Sequence, residues 1–220
     1  GSRIVFLRGT NVWVMNADGS GAMRLTRGRV AEQCPGWSPD GQTIVYERGR
    51  DLWTTGADVP DPHRLTDTPA FDEYCPSWSP DGSTIAFIIG GRRDHRWDLA
   101  LMAPDGTDRR RITSDRLTQF GPDWAPDGSV VVFNEYDPFG IASIVTITPD
   151  GADRTVVFEG GVGGALDPVF SPDGLFIAFW RTTRDRSHVW TVGADGSDPT
   201  RMTHGSAYNA WPGWQPITAP

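Results

Sequence analysis

"WSPDG" fills Trp37–Gly41 and returns unchanged at Trp78–Gly82. Softer copies follow: "WAPDG" from Trp124, "FSPDG" from Phe170 and a truncated "WQP" from Trp214. Successive copies start 41, 46, 46 and 44 residues apart. A period in the low forties, in strand-like sequence, is that of the four-stranded blade of a β-propeller. Within the five letters, proline presets φ for the first central position of a type I turn and aspartate suits the second. Glycine takes the left-handed position that follows, so the motif predicts a tight hairpin with a bulge. The aromatic residue ahead of it is expected to fill the wedge between neighbouring sheets.

Outward from each turn runs a β-branched and aromatic segment: "TIVYE" from Thr43, "TIAFI" from Thr84, "VVVFN" from Val130, "FIAFW" from Phe176. A further strand leads to a second turn, and a short one closes the unit as "HRLT" from His63, "RRIT" from Arg110, "TVVF" from Thr155 or "TRMT" from Thr200. The chain opens with "RIVFL", "NVWVMNADG" and "AMRLT", three strands with no preceding "P-x-W" strand, and ends on an orphan "AWPGWQP" from Ala210. Joining the two predicts an all-β, five-bladed β-propeller of four-stranded blades as one domain over residues 1–220. The C-terminal strand around Trp211–Trp214 would complete the N-terminal blade, and such closure removes exposed sheet edges. Gly1-Ser2 reads as a cloning scar.

The repeated "P-x-W-S-P-D-G … I-x-F … D-G … R-L-T" pattern resembles the TolB-like, WD-repeat-like β-propeller family over essentially the whole chain. The resemblance implies an extracytoplasmic setting, because such propellers serve as periplasmic or extracellular interaction modules. Others of the kind stand beside catalytic domains, in prolyl-oligopeptidase-like peptidases and in sensor or kinase proteins. TolB-type propellers usually carry six blades and TolB itself an extra N-terminal domain, whereas five units are counted here. TolB's own partners therefore do not transfer.

A formal charge of −8 argues against nucleic acid or an anionic membrane as partner. All twenty basic residues are arginine, a side chain suited to carboxylates. No apolar run approaches the roughly 18 residues of a membrane span, so no direct membrane insertion is expected, and the fold reads as a monomer. Cys34 and Cys75 are too few for a disulfide scaffold and form no Cys-x-x-Cys. Each just precedes an inner-strand proline, a matched position that reads as core filling by partly buried thiols.

Chemistry is sparse. There is no G-x-S-x-G nucleophile elbow, the four histidines have no metal-ligand spacing, and "EGGVGGA" from Glu159 reads as a flexible connection. One constellation follows from the repeat. Three residues before the inner-strand prolines stand Glu32, Glu73, Gln119, Ala165 and Asn209, equivalent positions expected to ring the mouth of a central pocket. Four of the five carry oxygen, so the site is read as ligand-binding, with Glu32 and Glu73 as metal ligands for a cation such as Ca2+. Arg93, Arg96 and Tyr136 in the long loops of the same face extend it toward a peptide or protein bearing carboxylates.

The expected function is a non-catalytic module binding a protein, peptide or small ligand there. The alternatives are a carboxylate-dependent glycosidase of the five-bladed type, using Glu32 with Glu73, or an accessory propeller of a larger receptor, kinase or peptidase.

Overall fold

The computed structural model describes residues 2–91, 96–115, 117–161, 163–183 and 186–214. Among them there are nineteen strands and no helix, hence none long and apolar enough to cross a membrane. The strands form five antiparallel sheets, the five blades that the repeat predicts.

The first blade is β1 (Arg3–Arg8), β2 (Asn11–Asn16) and β3 (Met23–Arg24); the second is β4 (Glu32–Trp37), β5 (Thr43–Arg48), β6 (Asp51–Gly56) and β7 (His63–Arg64). The third holds β8 (Phe71–Trp78), β9 (Ile85–Gly91), β10 (Trp97–Met102) and β11 (Arg110–Arg111). The fourth comprises β12 (Thr118–Trp124), β13 (Val131–Tyr136), β14 (Ala142–Ile147) and β15 (Arg154–Phe158). The fifth is β16 (Ala165–Phe170), β17 (Phe176–Thr183), β18 (Arg186–Gly193) and β19 (Thr200–Arg201).

By backbone contacts the chain divides into two compact units, Gly1–His95 with Ala100–Arg110, and Arg96–Leu99 with Arg111–Pro220. In the first unit, one core of Val12, Val14, Leu25, Ile44, Tyr46 and Ala57 joins the first and second blades. A second core of Val45, Leu52, Ile85, Phe87, Ala100 and Met102 joins the second and third. The two cores take opposite faces of β5, Ile44 and Tyr46 on one side and Val45 on the other, as the two-residue period of a strand requires. In the second unit, Val132, Ile144, Phe170, Ile177, Phe179 and Val192 belong to one core spanning the fourth and fifth blades.

The motif folds as its chemistry predicts. Gly41, Gly82, Gly128 and Gly174 have φ of 69°, 72°, 74° and 72°, the left-handed region that glycine enters without penalty. The serine adds a latch: Ser38 Oγ donates to Asp40 Oδ1 at 2.6 Å and accepts the Thr43 N–H at 2.9 Å. Ser79 repeats both bonds, 2.6 Å to Asp81 and 2.9 Å from Thr84. The wedge aromatics are half-buried at Trp37 and Trp78 and buried at Trp124 and Phe170, each of Trp37, Trp78 and Phe170 packed on its inter-blade core.

Each inner strand also carries a bulge that the sequence reading did not anticipate. Cys34, Cys75, Gly121 and Asp167, each just before proline, have φ of 47°, 47°, 61° and 48°. There the pairing with the next strand slips: Gln33/Gly36, Tyr74/Ser77, Phe120/Asp123 and Leu166/Val169. Positive φ is uncommon outside glycine, and four recurrences mark it as a built feature.

The C-terminal segment differs from expectation. Residues 210–214 form no strand, and the first blade has three strands among the described residues. The segment nevertheless carries the inner-strand signature. Trp211 before Pro212 has φ 53°, and the Asn209 N–H reaches Ser187 O at 3.0 Å as the Glu73 N–H reaches Arg50 O at 2.9 Å. It lies on the fifth blade, with Trp211 against Trp180 and Trp214 Nε1 donating to Val169 O at 3.1 Å. Residues 215–220 lie outside the described residues.

Candidate functional site

The oxygen-bearing positions Glu32, Glu73 and Gln119 are not open to solvent. They are 2 %, 0 % and 0 % exposed, and each is taken up by the closing "L-T" or "I-T" of the blade before it. In the first unit, Thr26 Oγ1 donates to Glu32 Oε2 while accepting the Val12 N–H at 2.9 Å. Thr66 Oγ1 donates to Glu73 Oε2 at 3.2 Å and accepts the Leu52 N–H at 2.8 Å. Thr68 adds a second hydroxyl to Glu73. In the second unit, Thr113 Oγ1 donates to Gln119 Oε1 at 2.9 Å and accepts the Leu99 N–H at 2.9 Å.

The fourth blade closes on Phe158 where the others have threonine, and the matching position after it is Ala165, fully buried in the apolar core of that unit. Polar latch and apolar plug replace each other as whole pairs. A buried carboxylate with no donor costs several kcal/mol, roughly 3–5 when a partner is removed, so the two positions cannot change singly.

These contacts define the surroundings of the two carboxylates read from the sequence as metal ligands. Glu32 Oε2 takes the Thr26 hydroxyl and the Val12 N–H at 2.9 Å while its buried Oε1 has no hydrogen-bond partner among the described residues, and Glu73 takes the hydroxyls of Thr66 and Thr68. Burial pushes the Glu73 carboxyl upward, opposed by the hydrogen bonds of Thr68 and Thr66. Among the described residues no three His, Cys, Asp or Glu side chains are grouped to hold a metal ion. Asn209 is half-buried and spends its amide on Ser187 O and Ala207 O at 3.3 and 2.8 Å.

Arg93 lies outside the described residues. Arg8 and Arg48 stack at 4.8 and 5.0 Å over Trp13 and Trp53, and Arg181 at 5.6 Å over Trp190, a repeated arginine–tryptophan pairing. Arg96 is exposed. It immediately precedes Trp97, which lies 6.3 Å from Phe120, which in turn meets Tyr136 edge-on at 6.0 Å. This half-buried aromatic row belongs to the second unit. In the loop after β13, Phe139 is 89 % exposed.

The same unit bears another exposed aromatic group, Tyr208 and Trp211 over Trp180, with ring centroids 6.0–6.4 Å apart. By contrast, clefts of about 290 and 420 Å³ lie among the "PDG" turns, one beside Pro126 and Gly174 and one beside Trp37. Their aspartates Asp40, Asp127 and Asp173 sit below the usual carboxylate range because neighbouring hydroxyls and turn N–H groups hold the charged form.

Of the four histidines, His63 is exposed against Asp61 at 2.9 Å, and His95 lies outside the described residues. His188 is buried with its Nε2 2.7 Å from Arg201. Aspartate takes that place in the second and third blades, where Asp51 meets Arg64 at 2.8 Å and Asp98 meets Arg111.

A family profile described as the TolB beta propeller domain matches residues 6–157. No curated protein matches the sequence significantly. Among solved structures, a protein assigned as TolB from Agrobacterium tumefaciens aligns with TM-score 0.79 at 21 % identity, over 91 % of this chain and 76 % of that one. A chain of a nidogen/laminin complex aligns with TM-score 0.78 at 11 % identity, over 94 % and 80 %. An oligogalacturonate lyase in complex with manganese aligns with TM-score 0.55 at 14 % identity, over 91 % and 73 %. Three such different proteins on one fold leave activity to be argued from the site.

Proposed function

The chain belongs to the TolB β-propeller domain family, and we propose that it works as a non-catalytic binding module, outside the cytoplasm, for a peptide or protein segment that carries carboxylates. The observation that carries this reading is the half-buried row Trp97, Phe120, Tyr136, with the exposed Arg96 next to Trp97 in the chain. Rigid aromatic area beside a fork of N–H donors is what a short acidic segment needs: apolar contact at low entropy cost and paired hydrogen bonds to carboxylate. The side chains here differ from blade to blade, whereas the "PDG" turns repeat one set of internal bonds, and variation is what a specific surface requires.

The test is a screen of the whole protein against an array of Asp- and Glu-containing peptides, with the best binder then titrated by calorimetry. Arg96→Ala should weaken binding and reduce its sensitivity to salt, and Tyr136→Ala should weaken it with the salt dependence unchanged. Binding that survives both substitutions but is lost with Asp81→Ala would move the site to the turn face and defeat the proposal.

A further inference from the structure

Cys34 and Cys75 are half-buried, with their Sγ atoms 2.8 Å apart. They come together through the bulge. Each sits at φ 47° where its inner strand slips register ahead of a proline, so the two side chains are delivered from matching places on β4 and β8. The strands run close there, since a Cβ placed on Gly36 would lie 3.7 Å from Pro76 O. The second unit repeats the arrangement with other residues: a Cβ on Gly121 would lie 3.3 Å from Asp167 Oδ1. The matching positions of consecutive blades thus lie close together in each unit, and in the first unit both are cysteine.

We propose that Cys34 and Cys75 form a dithiol site that a low-molecular-weight disulfide oxidises to an intramolecular disulfide, covalently joining the inner strands of the second and third blades. A bonded S–S distance of about 2.05 Å asks the sulfurs to close by roughly 0.8 Å, a side-chain adjustment. The partial exposure of both residues gives a small reagent access. With oxidised glutathione, one cysteine thiolate attacks a glutathione sulfur, forming a mixed disulfide and expelling one glutathione thiolate. The other cysteine thiolate attacks the protein sulfur of that mixed disulfide, forming the Cys34–Cys75 bond and expelling the second glutathione. Two protein thiols are oxidised, one glutathione disulfide is reduced to two thiols, and the two cysteine protons end on the glutathiones. The second step outruns further adduct formation because its nucleophile is already in place.

The whole folded protein is incubated with oxidised glutathione, quenched with acid, and analysed by intact mass and by thiol labelling after unfolding. The expected result is loss of both thiols with the mass reduced by two hydrogen atoms, no retained glutathione, and a cross-linked peptide pair containing Cys34 and Cys75. Cys34→Ser and Cys75→Ser should each instead retain one glutathione. Wild-type protein that keeps both thiols, carries two glutathiones or becomes a disulfide-linked dimer would overturn the proposal.

Discussion

Thr66 donates its hydroxyl proton to the buried carboxylate of Glu73 across 3.2 Å. The same oxygen accepts the N–H of Leu52 at 2.8 Å, so one side chain ties the third strand of its own blade to the first strand of the next. Thr26 with Glu32 and Thr113 with Gln119 repeat the link. These are stability contacts, and they are tested as such.

Glu73→Ala leaves the buried hydroxyl of Thr66 and the half-buried one of Thr68 without their acceptor, and a buried loss of that kind costs about 1–3 kcal/mol. Urea unfolding should show a destabilisation of about 2–4 kcal/mol, with Thr66→Val costing less. In a double-mutant cycle the pair should couple by about 0.5–3 kcal/mol. Additive effects would remove the latch as an explanation.

Ala165 is the inverse case. Ala165→Glu places a carboxylate in the apolar core beside Phe158, where no threonine waits for it. A loss of at least about 3 kcal/mol is expected, and Ala165→Val, though larger than alanine, should cost less. Equal losses for the two would show that volume, and not charge, limits this site.

His188 is buried against Arg201, and burial first, then the positive charge of Arg201, holds its pKa below the ordinary 6.5. The unfolded chain therefore binds the proton more readily. This contribution is full above about pH 6.5 and is lost as pH falls from there through the lowered folded pKa. His188→Asp would rebuild the carboxylate–arginine pair of the second and third blades, Asp51 with Arg64 and Asp98 with Arg111. Thermal midpoints should rise at pH 7 and lose much of their fall between pH 6.5 and 5. A variant melting below the parent at pH 7 would contradict the equivalence.

Glu47 titrates with the opposite sign. Burial and then the nearby Asp72 push its carboxyl from 4.5 up to about 7. Its contribution is full below the unfolded value of 4.5 and declines as pH rises through about 7. With screening allowed for, the change amounts to about 1–3 kcal/mol. Glu47→Gln should be more stable than the parent at pH 8 and lose that advantage by pH 4.5, read from urea midpoints at each pH. A pH-independent difference would locate the effect in packing instead.

The blades were legible in the sequence because their causes are local. Proline, aspartate and glycine fix a turn by their own backbone preferences, and alternating apolar residues fix the faces of strands such as Thr43–Arg48. The repeat spacing did the rest, and it also aligned Glu32, Glu73, Gln119, Ala165 and Asn209 correctly. What the alignment could not reveal was where those side chains point. Their partners Thr26, Thr66 and Thr113 sit in a different blade, six or seven residues away in sequence, and whether a carboxylate faces solvent or a hydroxyl is decided by packing alone. One signal was present: the single repeat that lacks threonine, at Phe158, is followed by the single position that lacks oxygen, Ala165. The bulge before each proline was hidden more deeply. Cysteine, aspartate and tryptophan have no shared tendency toward positive φ, so only the pairing of β4 and β8 with their neighbours imposes it, and with it the 2.8 Å meeting of Cys34 and Cys75.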